Sequence, residues 1–186
     1  MGWHWGILAS SGGAAGSYEL LQTTVLGSNA ATVTFTSLGS YSAYKHLQLR
    51  IVARTATTGS GANDTISLQM NNATGANYAY HELSGNGTSV TSAAGTSRSD
   101  ILAAYTSSND ATASAFSAVV IDILDFSSVS KNTTTRSLSG RAQTSTRVSL
   151  LSGLWNNTAA VTEIDIFLTS ASNFITGSRF SLYGIK

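Results

Sequence analysis

The sequence predicts an all-β protein: an antiparallel β-sandwich of jelly-roll type behind an extended N-terminal arm. Three observations carry this. Segments with apolar residues at every second position recur along the chain, separated by clusters of Gly, Asn, Asp and Ser. No window of helical length keeps a 3.6-residue period with helix caps. Ser and Thr fill more than about a quarter of the chain, far above average usage, and Thr and Val favour strands.

Taken in order, residues 1–16 ("MGWHWGILASSGGAAG") form the arm, an aromatic tip and a short apolar piece ending in a small-residue hinge. They lack the basic start and long apolar run of an export signal, so none is expected. Residues 17–186 read as one sandwich domain. "YELLQTTVL" leads into "ATVTFTSL", where Val33 and Phe35 alternate with threonines. "YKHLQLRIVART" has the clearest alternation, with Leu47, Leu49 and Ile51 on one face and His46, Gln48 and Arg50 on the other. "DTISLQM" repeats it through Ile66, Leu68 and Met70. "NYAYHEL", "SAFSAVVIDILDF", "TRSLSGRAQ", "TRVSLLSGLW", "VTEIDIFL" and "SRFSLYGI" follow. In the last, Phe180, Leu182 and Gly184 oppose Ser181, Tyr183 and Ile185, the pattern of a strand covered on both sides. "RSDILAAYTSS" is the one place for a short helix. The chain has no proline, so its turns must rest on Gly, Asn, Asp and Ser. Roughly eight to ten strands are expected, with turns every 8–12 residues.

Composition narrows the function classes. A net charge of +1 gives no electrostatic case for nucleic acid or an anionic membrane. The absence of cysteine removes disulfides, thiol catalysis and Cys-ligated zinc. The histidines His4, His46 and His81 are far apart in sequence, and "HE" at His81–Glu82 lacks the second histidine of a zinc-protease motif. "GSGANDT" and "SSNDATAS" offer one acid each, too few for a calcium loop. No Gly-x-Ser-x-Gly elbow occurs. Glu163 with Asp165, and Asp122 with Asp125, are carboxylate pairs of the kind glycoside hydrolysis needs. The simpler expectation for the first pair is the wet face of an edge strand. No enzyme activity, cofactor or metal is expected.

Aromatic residues offer two binding candidates. Trp3, Trp5, Ile7 and Leu8 sit on the arm, and Trp is a typical interface anchor, so they are the candidates for docking onto a partner or sister subunit. Tyr78, Tyr80 and Trp155 are the alternative, a set of ring faces for host glycan.

The stretches "WGILASSGGAAGSYELLQTTVLGSNAATVTF", "YKHLQLRIVART", "SLQMNNATGANYAYHELSGNGTSV", "IDILDFSSVSKNTTTRSLSG", "GLWNNTAA" and "GSRFSLYGIK" span nearly the whole chain. In them the chain resembles small virion structural proteins of tailed bacteriophages, especially cyanophages. The resemblance implies a β-sandwich assembled as a homo-oligomer, a homotrimer by preference, on the virion surface after synthesis in the host cytoplasm. Its partners would be copies of itself and the major capsid protein or other virion proteins. The expected role is capsid decoration (a cement protein that bridges capsid subunits). The alternative is a tail or head fibre component, or a receptor-binding module contacting host surface polysaccharide. The resemblance supplies no active-site residues.

Overall fold

The computed structural model describes residues 17–59, 61, 63–141 and 146–186. Among them are twelve strands: β1 (Tyr18–Val25), β2 (Thr32–Phe35), β3 (His46–Ala53), β4 (Asn63–Met70), β5 (Tyr78–Gly85), β6 (Val90–Arg98), β7 (Ile101–Ser107), β8 (Ser117–Leu124), β9 (Thr133–Arg141), β10 (Arg147–Trp155), β11 (Ile164–Leu168) and β12 (Arg179–Ile185). A single 3-10 turn, Leu38–Tyr41, follows β2. The strands form an eight-stranded sheet in the order β1-β12-β3-β8-β9-β10-β5-β6 and a four-stranded sheet in the order β2-β11-β4-β7. All strand pairings are antiparallel, and the sheets pack face to face as a sandwich. The partition is eight and four, where a simple jelly roll has eight strands in all.

Alternation places the core where it was expected. Leu47, Leu49 and Ile51 of β3 point inward with Val119, Ile121 and Ile123 of β8 and Phe180 and Leu182 of β12. They meet Val33 and Phe35, Ile66 and Leu68, and Ile164 and Ile166 from the small sheet. The C-terminal strand is interior to its sheet, hydrogen-bonded to β1 on one side and β3 on the other. Gly184 is required there by space: a Cβ would lie 2.5 Å from the Tyr44 ring. Turns use the residues that proline's absence leaves. Asn71, Asn72 and Asp125 take left-handed backbone, and the Asn71 side chain accepts the N–H groups of Thr162 and Glu163 at 2.7 and 3.1 Å.

Three expectations are corrected. Residues 101–107 of "RSDILAAYTSS" form β7 and not a helix, because the segment is buried on both faces between β4 and the large sheet. β6 was not foreseen; its small polar residues carry no period-2 signal. Asp165 is not on the wet face of an edge strand, for β11 lies between β2 and β4. Asp165 is buried and accepts the Thr34 hydroxyl at 2.6 Å.

Candidate functional site, the outer face of the large sheet

Alternation reverses its sense in one half of the eight-stranded sheet. Along β9 the inward residues are Thr133, Thr135, Ser137, Ser139 and Arg141, whereas Leu138 faces outward. On β10, Val148 and Leu150 point out while Ser149 points in. On β5, Leu83 points out while Glu82 and Ser84 are buried.

The inward hydroxyls of β9 have a local cause. β7 is the edge of the small sheet and lies under β9 and β10, so its free backbone groups face protein and not water. Hydroxyls from β9 serve them. Ser139 Oγ accepts the Tyr105 N–H at 3.2 Å, and Ser137 Oγ–H donates to the Ala103 carbonyl. Beside them Glu82 accepts the Tyr105 hydroxyl at 2.8 Å and pairs with Arg147, whose guanidinium carbon stands 3.7 Å from the Tyr105 ring centroid. Burial, then the bond to Glu82, pushes the Tyr105 hydroxyl up to about 12.

The outward residues consequently meet solvent in rows. Val120, Leu138, Leu150 and Leu83 are successive register partners across β8, β9, β10 and β5. Their exposure runs from 38% at Val120 to 52% at Leu150. The next row passes through Val52, Ala118, Gly140, Val148 and Gly85 to Val90. The first row floors a concavity of about 630 Å³, bounded by His81, Asp122 and Arg136. A second of about 280 Å³, lined by Ala118, Val120, Leu138 and Val148, adjoins it. The ionic groups nearby are paired: Asp122 accepts Arg136 Nε–H and Gln48 Nε2–H, each at 2.7 Å. Apolar side chains in register over four strands make a contiguous exposed patch. Because each is already about half covered, burying the remainder would contribute about 1 kcal/mol per side chain.

The foreseen site residues fall elsewhere. Trp3, Trp5, Ile7 and Leu8 lie outside the described residues. Tyr78 and Trp155 are corrected as glycan platforms. Both are 1% exposed and stacked on each other with centroids 6.3 Å apart, because they point into the sandwich from paired positions of β5 and β10. The Tyr78 hydroxyl is occupied by the Met70–Ala73 turn, 3.1 Å from Met70 N and 3.0 Å from Ala73 O. Tyr80 is half-buried, with the Arg98 guanidinium 5.4 Å from its ring centroid. Asp125 is held by Lys131 at 2.7 Å and accompanied by His46, whose Nδ1 accepts the Asp125 N–H at 2.9 Å. Glu163 receives the Asn72 amide. Asp64, in "GSGANDT", accepts Ser170 Oγ–H at 2.7 Å and the Thr65 N–H at 2.8 Å, together with the Thr57 hydroxyl, so hydroxyls and backbone fill its coordination. Among the described residues no three His, Asp or Glu side chains converge as metal ligands.

The outer leucines and valines were not singled out from sequence. The available signal was a lone leucine among small hydroxyl residues in "TRSLSGR", which shows that the two faces differ without showing which is covered. No protein-family model, curated protein or solved structure matches the chain.

Proposed function

We propose that this chain is a structural subunit of a bacteriophage virion, a capsid decoration protein that stabilises the shell by bridging capsid subunits. The supporting observation is the reversed half-sheet, whose aliphatic rows are placed to be covered by another polypeptide. The choice of particle rests on the sequence resemblance to phage virion proteins. In this reading the outer face of β8, β9, β10 and β5 seats on the major capsid protein, and Trp3, Trp5, Ile7 and Leu8 provide a second attachment. Two attachments on one subunit raise effective concentration, so modest contacts sum to stable decoration. Few charges near the contact make the attachment insensitive to salt.

The test is incorporation into virions of the phage that encodes the chain. Leu138→Lys with Leu150→Lys is expected to leave folding intact and cut the copies per particle at least tenfold. Loss of residues 1–16 is expected to weaken retention during washing. Wild-type incorporation of the double variant rejects the docking face. A copy number of a few per particle, in place of the hundreds that shell symmetry implies, moves the chain to a tail or fibre.

A further inference from the structure

We infer that β6 is a self-association edge, through which two copies of this chain join their eight-stranded sheets into one continuous sheet. β6 ends the large sheet and pairs only with β5. Its nine residues, "VTSAAGTSR", are exposed on both faces except for the partly covered Gly95 and Arg98. Edge strands of this length ordinarily carry charges, a proline or a central bulge that discourages pairing. From Val90 to Ser97 there is no charge and no proline. The register shift opposite Tyr78–Tyr80 leaves the run from Val90 to Ala94 regular.

The other edges are closed. β1 has a register shift between Leu20 and Gln22 and carries Glu19. β2 has four residues. β7 is served by the β9 hydroxyls. β6 alone among the described strands offers a long, neutral, unserved row of backbone groups.

The same features select a second copy as occupant. Antiparallel pairing of β6 with its own image is two-fold symmetric and needs only one self-complementary surface. A neutral strand meets no repulsion from itself, and Ser, Thr, Ala and Gly side chains let the backbones close to the ~4.8 Å of a sheet. The two-fold axis stands normal to the sheet, so both outer faces end on one side. Ser92, at the centre of the regular run, is the register partner of Leu83, so an axis at Ser92 joins the Val120–Leu138–Leu150–Leu83 row of one copy to the same row of the other. The inference concerns copies of the chain alone and survives or fails without reference to a capsid.

The chain is free of cysteine, so a single introduced thiol reports a neighbour cleanly. Cysteine is placed in turn at Val90, Thr91, Ser92, Ala93 and Ala94, with Leu138→Cys as control, under mild oxidation of the full-length protein. Sedimentation of the unmodified chain is expected to give a concentration-dependent dimer of the 19.3 kDa chain. Disulfide formation is expected to peak at one or two β6 positions nearest the axis and fall away on both sides. Ser92→Lys with Ala94→Lys is expected to weaken the dimer at least tenfold while thermal unfolding stays cooperative. A monomer at every concentration, a three-copy oligomer, or cross-linking that favours Leu138→Cys over all β6 positions overturns the proposal. Because no capsid protein is present, these outcomes are separate from failure of the docking face.

Discussion

Arg54 shows how a single side chain organises a loop in this chain. Its guanidinium is buried and donates to the carbonyls of Asn109, Ala111, Thr112 and Ala115 at 2.6–3.3 Å, holding the segment before β8 against the end of β3. Arg54→Met keeps the packing and orphans those carbonyls. The expected loss is ~3 kcal/mol or more, since a buried unsatisfied polar group costs ~1–3 kcal/mol, measured as a lower urea midpoint at unchanged slope. Tyr105 sets an alkaline limit. Its folded-state pKa is raised from 10.0 to about 12 by burial and by Glu82, so the native state holds the phenolic proton more tightly than the unfolded chain. The stability linked to that proton is fully present below pH ~10 and is lost as pH rises from about 10 towards 12. Tyr105→Phe is expected to flatten the stability profile in that window; an unchanged slope would show that the proton is not linked to folding.

At the scale of the element, β9 inverts the usual consequence of mutation. Leu138, a leucine in mid-strand, is expected to tolerate Ser with a change within ~0.5 kcal/mol in the isolated chain, because its side chain already meets water. Ser139→Ala, a smaller change, is expected to cost ~1–3 kcal/mol by leaving the Tyr105 N–H without an acceptor under the sheet. Chemical denaturation of the two variants side by side decides the matter, and a larger loss for Leu138 would refute the assignment of faces. β10 has a steric counterpart. A Cβ on Gly153 would sit 2.4 Å from Ile101 Cγ2 and from Thr135 Oγ1, so Gly153→Ala must displace β7 or β9. Overpacking of this kind costs ~1–3 kcal/mol.

Across the whole molecule the sandwich has two unlike halves. Under β12, β3 and β8 the interior is aliphatic and aromatic, and it holds most of the buried apolar surface. Under β9 and the neighbouring ends of β10 and β5 the interior is largely hydroxyl and ionic, with Leu138, Leu150 and Leu83 outside, while Leu151, Trp155 and Tyr78 keep an apolar lining at the rest of β10 and β5. Leu138, Leu150 and Leu83 are about half exposed in the isolated chain, so under the proposed docking they would contribute only once a partner covered them. The two proposed contacts divide the labour, with the sheet face for another protein and the β6 edge for a second copy.

The first half was legible in sequence because its alternation is chemically lopsided: Leu47, Leu49 and Ile51 against His46, Gln48 and Arg50 admits one burial sense. Asn-rich and Gly-rich punctuation likewise marked the turns, with no proline to set them otherwise. β6 was not legible, since strands of Ser, Thr, Ala and Gly have no hydrophobic period. Nor was the burial of Tyr78 and Trp155, whose ring faces suit solvent or core equally until their neighbours are known.

By itself, then, the sequence determined an all-β sandwich, most of its strand positions and the aliphatic half of its core, because period-2 contrast and turn chemistry are local properties. Only the tertiary structure decided which face of β5, β9 and β10 is inside. On β9 that choice depends on the β7 edge, brought beneath it from elsewhere in the chain: its unpaired backbone groups take Ser137 and Ser139 as partners, which turns Leu138 outward, and Leu150 and Leu83 lie in register with it.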